Sequence, residues 1–426
     1  MNTPVGPFNL TTTFLRLRGA DSSAKPLHVT PEFWQRLMTG ALRAFRRCGE
    51  LMRTVDRCGA VAPANAWTRA RAWLGECVDL RTLVILAGAV VGVGAAVGAH
   101  AQSFPNPYRN VDGWAKLPNG RVIGAVGDVD IDPDGVHVWA VIRCDAGGDK
   151  FGYECLDSNL DVVVKFAPDG NAVAMFGGGM FIWPHGLEVD PQGNVWVTDA
   201  APVERTGGPD GRGRGHQVVK FSPRGQVLLR LGTPGAPGND QTHFNAPSDI
   251  VVAANGDIFV ADGHGEATNN RVVKFKSDGT FVKAWGRTGY GPGEFRTMHA
   301  IAIDAQGRVF VGDRSNNRIQ LFDQDGNYLT SWTQFGRPSG IFFDHLGRII
   351  VADSESDDIE NPGWDMGIRI GEAATGAVRE FILYPWGDPR VRAGTGAEFA
   401  VVDREGNIYG GEPRPRRLQK YVRVRP

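Results

Sequence analysis

The chain has 426 residues, 42% hydrophobic and 22% charged, with a formal net charge of −1. It is too apolar for a disordered chain, and its 57 glycines, nearly twice the usual share of about 7%, follow no three-residue period, which excludes a collagen. The charge is uneven: residues 1–82 hold 12 Lys and Arg against 6 Asp and Glu, so the remainder is acidic and carries no electrostatic footprint for nucleic acid.

Residues 1–82 are read as an N-terminal extension. Its stretch PEFWQRLMTGALRAFRR (31–47) suits a short basic amphipathic helix, and equally a reading frame begun too early. Residues 83–98, LVILAGAVVGVGAAVG, are uncharged, follow Arg81 and lead into Ala99-His100-Ala101. A short apolar core with small residues at −3 and −1 describes a secretory signal, so 83–101 is read as a signal peptide cleaved after Ala101. The mature protein is then periplasmic or secreted. The alternative is an uncleaved anchor, although the run is short and Gly-rich against the roughly 20 apolar residues of a bilayer span. No other membrane segment is expected. Three of the five cysteines precede the cleavage point, and the two that follow, Cys144 and Cys155, read as a disulfide in an exported protein, or else as two free thiols.

Residues 105–426 repeat. The unit is an apolar strand ending in Asp, a Gly turn, a β-branched and aromatic strand ending in Asp, and two further strands. Clear copies begin PHGLEVDPQGNVWVTDA (184–200), APSDIVVAANGDIFVADG (246–263), TMHAIAIDAQGRVFVGDR (297–314) and RPSGIFFDHLGRIIVADS (337–354), bracketed by weaker copies at 125–141 and 396–412. Six units of four strands predict an all-β, six-bladed β-propeller. The last unit ends at its third strand, LQKYVRV, and WAKLPNGRVIG (114–124) is the expected source of the missing strand that closes the ring. Asp313-x-x-x-Asn317-Arg318 and Asp262…Asn270-Arg271 resemble the pattern of NHL-repeat propellers, where such pairs are expected to tie neighbouring strands within a blade.

The innermost strand of each blade lines the central channel. Alignment of the units on the Asp that ends the first strand gives one ring: Gly127, His185, Ser248, His299, Ser339 and Glu398. His185, His299 and Glu398 fall in alternate blades and converge on the axis. Two imidazoles and a carboxylate with an open position form a catalytic zinc set, and iron or cobalt accept the same ligands. The plainer alternative is that each His caps a strand end or holds a channel water. Loops after the second strands add Arg143, His264 and Arg314. Two guanidiniums beside a cation suit an anionic substrate, because Arg binds a carboxylate bidentately. An imidazole titrates near neutrality, which makes His264 a candidate general base. Arg314 in another ion pair within its blade, and His264 as a plain loop residue, are the bland readings.

The stretches WPHGLEVDPQGNVWVTDA, PGNDQTHFNAPSD (237–249), VADG and FVGDRSNNRIQLF resemble peptidyl-α-hydroxyglycine α-amidating lyase, a propeller enzyme that cleaves C-terminal α-hydroxyglycine into a peptide amide and glyoxylate. The resemblance implies that His185 and His299 match two of the family's three zinc histidines, that Arg143 and Arg314 match its active-site arginines, and that Glu398 stands where the third histidine would be. It also implies that His264 replaces the family's tyrosine base. The family's structural calcium uses a carboxylate where this chain has Phe399, and Asp128 and Asp249 are the candidate substitute for a second cation site. The family's cysteine pairs in these blades are absent, with Asn245 at one position. The implied reaction is metal-dependent cleavage of a C–N bond next to an α-hydroxyl on a small anionic or peptide substrate. The chain has no copper-binding hydroxylase domain, so a partner enzyme would supply that substrate. A monomer is expected. Competing functions are a non-catalytic binding propeller and a propeller acting on a cyclic ester in the manner of gluconolactonase or streptogramin lyase.

Overall fold

The turn between the first and second strands of a repeat is encoded directly in the sequence. In DPQGN, Asp190 Oδ1 accepts the backbone N–H groups of Gln192 and Asn194 at 3.0 and 2.9 Å, and Asp304, Asp344 and Asp403 repeat this two- and four-residue reach. The Asp thereby supplies the acceptors that the tight turn lacks, and the following Gly takes the left-handed conformation. The computed structural model describes residues 104–144, 152–201, 213–384, 396–414 and 416–424, all within the unit Ala99–Pro426. The extension, the apolar run 83–98 and the Ala101 cleavage point lie outside the described residues. No helix among the described residues is long and apolar enough to cross a membrane.

Six four-stranded antiparallel sheets form the blades. The innermost strands of blades 1 to 6 are Val126–Ile131, Pro184–Val189, Pro247–Val252, Met298–Ile303, Pro338–Phe343 and Phe399–Val402. The second strands, such as Val138–Ile142, Val195–Asp199 and Val309–Asp313, are buried along their whole length because adjacent blades cover both faces. The fourth strands, such as Val227–Leu231 and Tyr328–Trp332, are largely open to solvent. Within blades, Arg271 Nε meets Asp262 at 2.8 Å and Arg318 Nε meets Asp313 at 2.7 Å, which is the strand-tying role expected of those pairs.

Carboxylates also join blade to blade at the channel. Asp128 accepts from Leu187 N–H and Asp130 from Val189 N–H, both at 2.6 Å, while Asp249 accepts from Ile301 N–H at 2.7 Å. Asp128 and Asp249, the candidate second cation site, thus serve as bolts between neighbouring innermost strands. Burial pushes all three carboxyl groups above the usual range, Asp130 to about 7.

The ring closes differently from the sequence expectation. Blade 6 contains Phe399–Val402, Ile408–Glu412 and Arg417–Arg423, and its fourth strand is Tyr108–Val111, registered Tyr108 to Arg423 and Val111 to Lys420. The segment 114–124 is not that strand. Pro118–Gly120 is a 3-10 turn in which Asn119 and Gly120 are left-handed, a conformation that breaks a strand. The role of this segment is carried by Trp114. Its ring lies 4.7 Å from Tyr409 and 5.8 Å from Phe166, and its indole N–H donates to the Pro168 carbonyl at 3.1 Å. It therefore fills the seam between the last blade and the first. Trp114→Ala should cost about 3–5 kcal/mol through the cavity left at this seam. Thermal denaturation checks this, and an unchanged melting temperature would show that the strand alone holds the ring.

Candidate metal and anion centre

The inner strands deliver the ring residues to the axis through β-bulges. The ladder of each of the first five blades slips at the ring position, between Val126 and Asp128, Pro184 and Leu187, Pro247 and Asp249, Met298 and Ala300, and Pro338 and Gly340. A bulge leaves a residue unpaired and re-aims its side chain. His185 and His299 are buried there. The Nδ1–H of His185 donates to the Ser248 carbonyl at 2.8 Å, and that of His299 donates to the Ser339 carbonyl at 2.6 Å. A carbonyl can only accept, so Nδ1 carries the hydrogen in both rings and Nε2 keeps its lone pair. Neither Nε2 has a hydrogen-bond partner, and both are closed to solvent. Desolvation, helped by His264 and the nearby arginines, holds both imidazoles well below their usual pKa and hence neutral. A donating backbone contact behind a neutral ring is the usual support of a metal-binding imidazole.

The third member of the group is His264. It follows Ile258–Asp262, and Gly263 before it has φ +151°. A Cβ on Gly263 would meet the Asn270 backbone at 2.5 Å, so only glycine lets the chain turn this tightly. The turn folds His264 over the axis, with ring centroids 4.6 Å from His185 and 5.0 Å from His299, while His185 and His299 are 4.7 Å apart. The ligand atoms of the three residues all lie within 4.8 Å of one another. The compact donor set is therefore three imidazoles, rather than the expected pair plus Glu398. Ring position alone does not reveal which loop crosses the mouth.

Glu398 stands at the edge of this set. Its Oε1 is 3.9 Å from His299 Nε2, and its Oε2 is 3.9 Å from Arg143 Nη2 and has no hydrogen-bond partner. Burial pushes its carboxyl up to about 7, against the opposing pull of Arg143 and Arg314.

Arg143 is fully buried. Its Nε donates to the Pro184 carbonyl at 3.1 Å, and its guanidinium packs on the Trp183 ring at 4.9 Å. Room for it comes from Gly127, where a Cβ would lie 3.3 Å from Nη2. Both terminal nitrogens lack hydrogen bonds, with Glu154 at 4.0 Å from Nη1. Arg314 opens the 3-10 turn Arg314–Asn316, and its Nε and Nη1 also lack hydrogen bonds, with Glu355 Oε1 at 3.4 Å from Nη1. The contrast with the 2.7–2.8 Å pairs of Arg318 and Arg271 separates guanidiniums used for structure from guanidiniums with donors to spare. Cys144 and Cys155 are bonded, with Sγ atoms 2.09 Å apart. The bond lies directly after Arg143 and Glu154, so it brings the two together.

Sequence reasoning missed Trp183, Glu154, Arg337 and Glu355. Trp183 lies within a quoted motif and touches both His185 and His264, at 5.2 and 4.9 Å between ring centroids. Glu355 had a readable signal: it follows Asp353 by two residues, as His264 follows Asp262.

A family model described as a 6-bladed beta-propeller matches residues 238–335. The peptidyl-glycine alpha-amidating monooxygenase of Mus musculus is 39% identical over 180 residues, which cover 40% of this chain and 16% of that protein. A probable peptidyl-alpha-hydroxyglycine alpha-amidating lyase of Caenorhabditis elegans is 31% identical over 206 residues, 46% of this chain and 54% of the other. The chain resembles the amidating lyases. It spans about half of the nematode lyase and under a fifth of the mouse protein. NHL repeat-containing protein 3 of Mus musculus is also similar, 34% identical over 161 residues that cover 37% of this chain and 43% of that protein. The six-bladed fold and NHL-type repeats read from the sequence thus hold, and the likeness to the amidating lyases agrees with the motifs that first pointed to them.

Proposed function

We propose that the protein is a metal-dependent lyase of the amidating type, cleaving the C–N bond next to an α-hydroxyl on a carboxylate-bearing peptide. The observation that carries this reading is the pair of buried, unpartnered Nε2 atoms of His185 and His299, converging with His264 on one point. Three imidazoles suit zinc, and also iron or cobalt. His185, His264 and His299 would hold the ion, which when bound supplies a Lewis acid for the substrate hydroxyl. Arg143 and Arg314 would take the substrate carboxylate on their unspent donors. With His264 among the ligands, the proton acceptor passes to Glu398, whose buried Oε2 makes no hydrogen bond. The hydroxyl gives up its proton to Glu398, the C–O bond becomes a carbonyl, and the C–N electron pair leaves on nitrogen, which takes up a proton. The Cys144–Cys155 bond supports an oxidising compartment, periplasmic or extracellular. A hydroxylation at the α-carbon of a C-terminal glycine would supply the substrate.

Elemental analysis of the purified full chain tests the site, with one equivalent of a divalent transition metal expected; none overturns it. Incubation of the metal-loaded protein with a peptidyl-α-hydroxyglycine should release glyoxylate. A metal-loaded protein that releases none overturns the named reaction.

A further inference from the structure

Arg314 does not face the mouth alone. Glu355, its side chain 30% exposed, is shared between two buried arginines. Its Oε1 lies 3.4 Å from Arg314 Nη1, and its Oε2 accepts from Arg337 Nη2 at 3.3 Å. Arg337 is fixed from behind, with Nη1 donating to Asn317 Oδ1 at 3.3 Å and its backbone N–H donating to Asp353 Oδ2 at 3.1 Å. Arg337 Nη1 also lies 3.4 Å from the largely exposed carboxylate of Glu360. The two arginines keep the Glu355 carboxyl below the usual range, Arg314 foremost. Arg314 itself retains two buried nitrogens without hydrogen bonds.

We propose that Glu355 is an internal counterion which competes with an incoming carboxylate for Arg314, and that Arg337 sets the strength of that competition by drawing Glu355 away. The pair is thus a specificity device, fixing how much positive charge Arg314 offers to a ligand. The argument is one of charge and reach. A carboxylate 3.4 Å from a guanidinium in a partly desolvated site cancels most of its attraction for a second anion. A carboxylate divided between two guanidiniums cancels less of each. Glu355 is also open enough to solvent to be displaced, unlike the buried Glu154 and Glu398. This inference rests on the reading of Arg314 as an anion donor.

The probe is trifluoroacetate, a single carboxylate, titrated into the full chain and followed by fluorine NMR. Glu355→Gln should bind it about tenfold more tightly than wild type, because the competitor is gone. Arg337→Gln should bind it several-fold more weakly, because Glu355 then rests on Arg314 alone. Arg314→Met should bind it weakest of all. Unchanged melting temperatures and metal content confirm that the variants are intact. If the probe binds and Arg314→Met weakens it, but Glu355→Gln does not tighten it, this inference falls while the anion reading stands. If wild type and Glu355→Gln both fail to bind the probe, the anion reading falls and takes the inference with it.

Discussion

His264→Ala is expected to release the metal as completely as His185→Ala or His299→Ala, whereas Glu398→Gln should keep it. The three imidazole donors lie within 4.8 Å of one another, and the two buried rings, His185 and His299, are already neutral and oriented by backbone carbonyls. Loss of a residue that merely supports a ligand costs about 10–100-fold in metal affinity, so loss of a ligand should cost about 100-fold or more. Glu398 is instead shared between Arg143 and His299 at 3.9 Å from each. Its amide variant should hold metal within about tenfold of wild type and lose turnover through its missing proton acceptor. Competition against a chelator of known affinity measures the four variants against wild type. The opposite order, with Glu398→Gln metal-free and His264→Ala loaded, would restore the two-imidazole, one-carboxylate set read from the ring.

Arg143→Met should reduce kcat/KM for a peptidyl-α-hydroxyglycine by about 100- to 1,000-fold, the scale on which a buried charge-stabilising donor acts. Two causes add. The substrate carboxylate loses two donors, Nη1 and Nη2, that make no hydrogen bond within the protein. Glu154 and Glu398 also lose the cation that both face, and a buried carboxylate left alone repels an anionic substrate. Arg143→Lys should recover little, because an ammonium cannot present two parallel donors or pack as a plane on Trp183. Metal content should not change in either variant. Steady-state kinetics alongside elemental analysis decides the matter, and activity within threefold of wild type for Arg143→Met would remove Arg143 from the substrate site.

The blades were legible because they repeat one turn chemistry: a left-handed Gly, a second strand apolar on both faces and, in blades 2, 4, 5 and 6, an Asp that satisfies the N–H groups two and four residues on. The ring at Gly127, His185, Ser248, His299, Ser339 and Glu398 was legible for the same reason, since a constant offset from the turn fixes which residue comes to the axis. Two things were not legible locally. The closing strand, YRNV, is short and polar, and an apolar neighbour ending in a Pro-Asn-Gly turn reads more like a strand than it does. Its identity depends on register with residues 417–423, far along the chain. The path of His264 over the axis depends on Gly263 pressing against Asn270, a tertiary contact that no spacing reveals. The aromatic and acidic supports, Trp183, Glu154 and Glu355, matter only once the arginines they touch are in place.

The seam between Tyr108–Val111 and Arg417–Arg423 also governs the order of events during folding. Tyr108 and Arg423 are 315 positions apart, so their pairing closes a loop that spans nearly the whole ring, on the order of 5 kcal/mol of chain entropy. Blades 1 to 5 are each built from adjacent segments and are free to assemble locally, but the sixth waits for both flanks of the propeller to meet. A chain that assembles blade by blade would pass through an open ring with an unpaired blade edge, the stage most exposed to aggregation and to proteases. Once shut, the same contact works in reverse: no blade at the seam can peel away without first undoing a pairing between the two ends of the propeller.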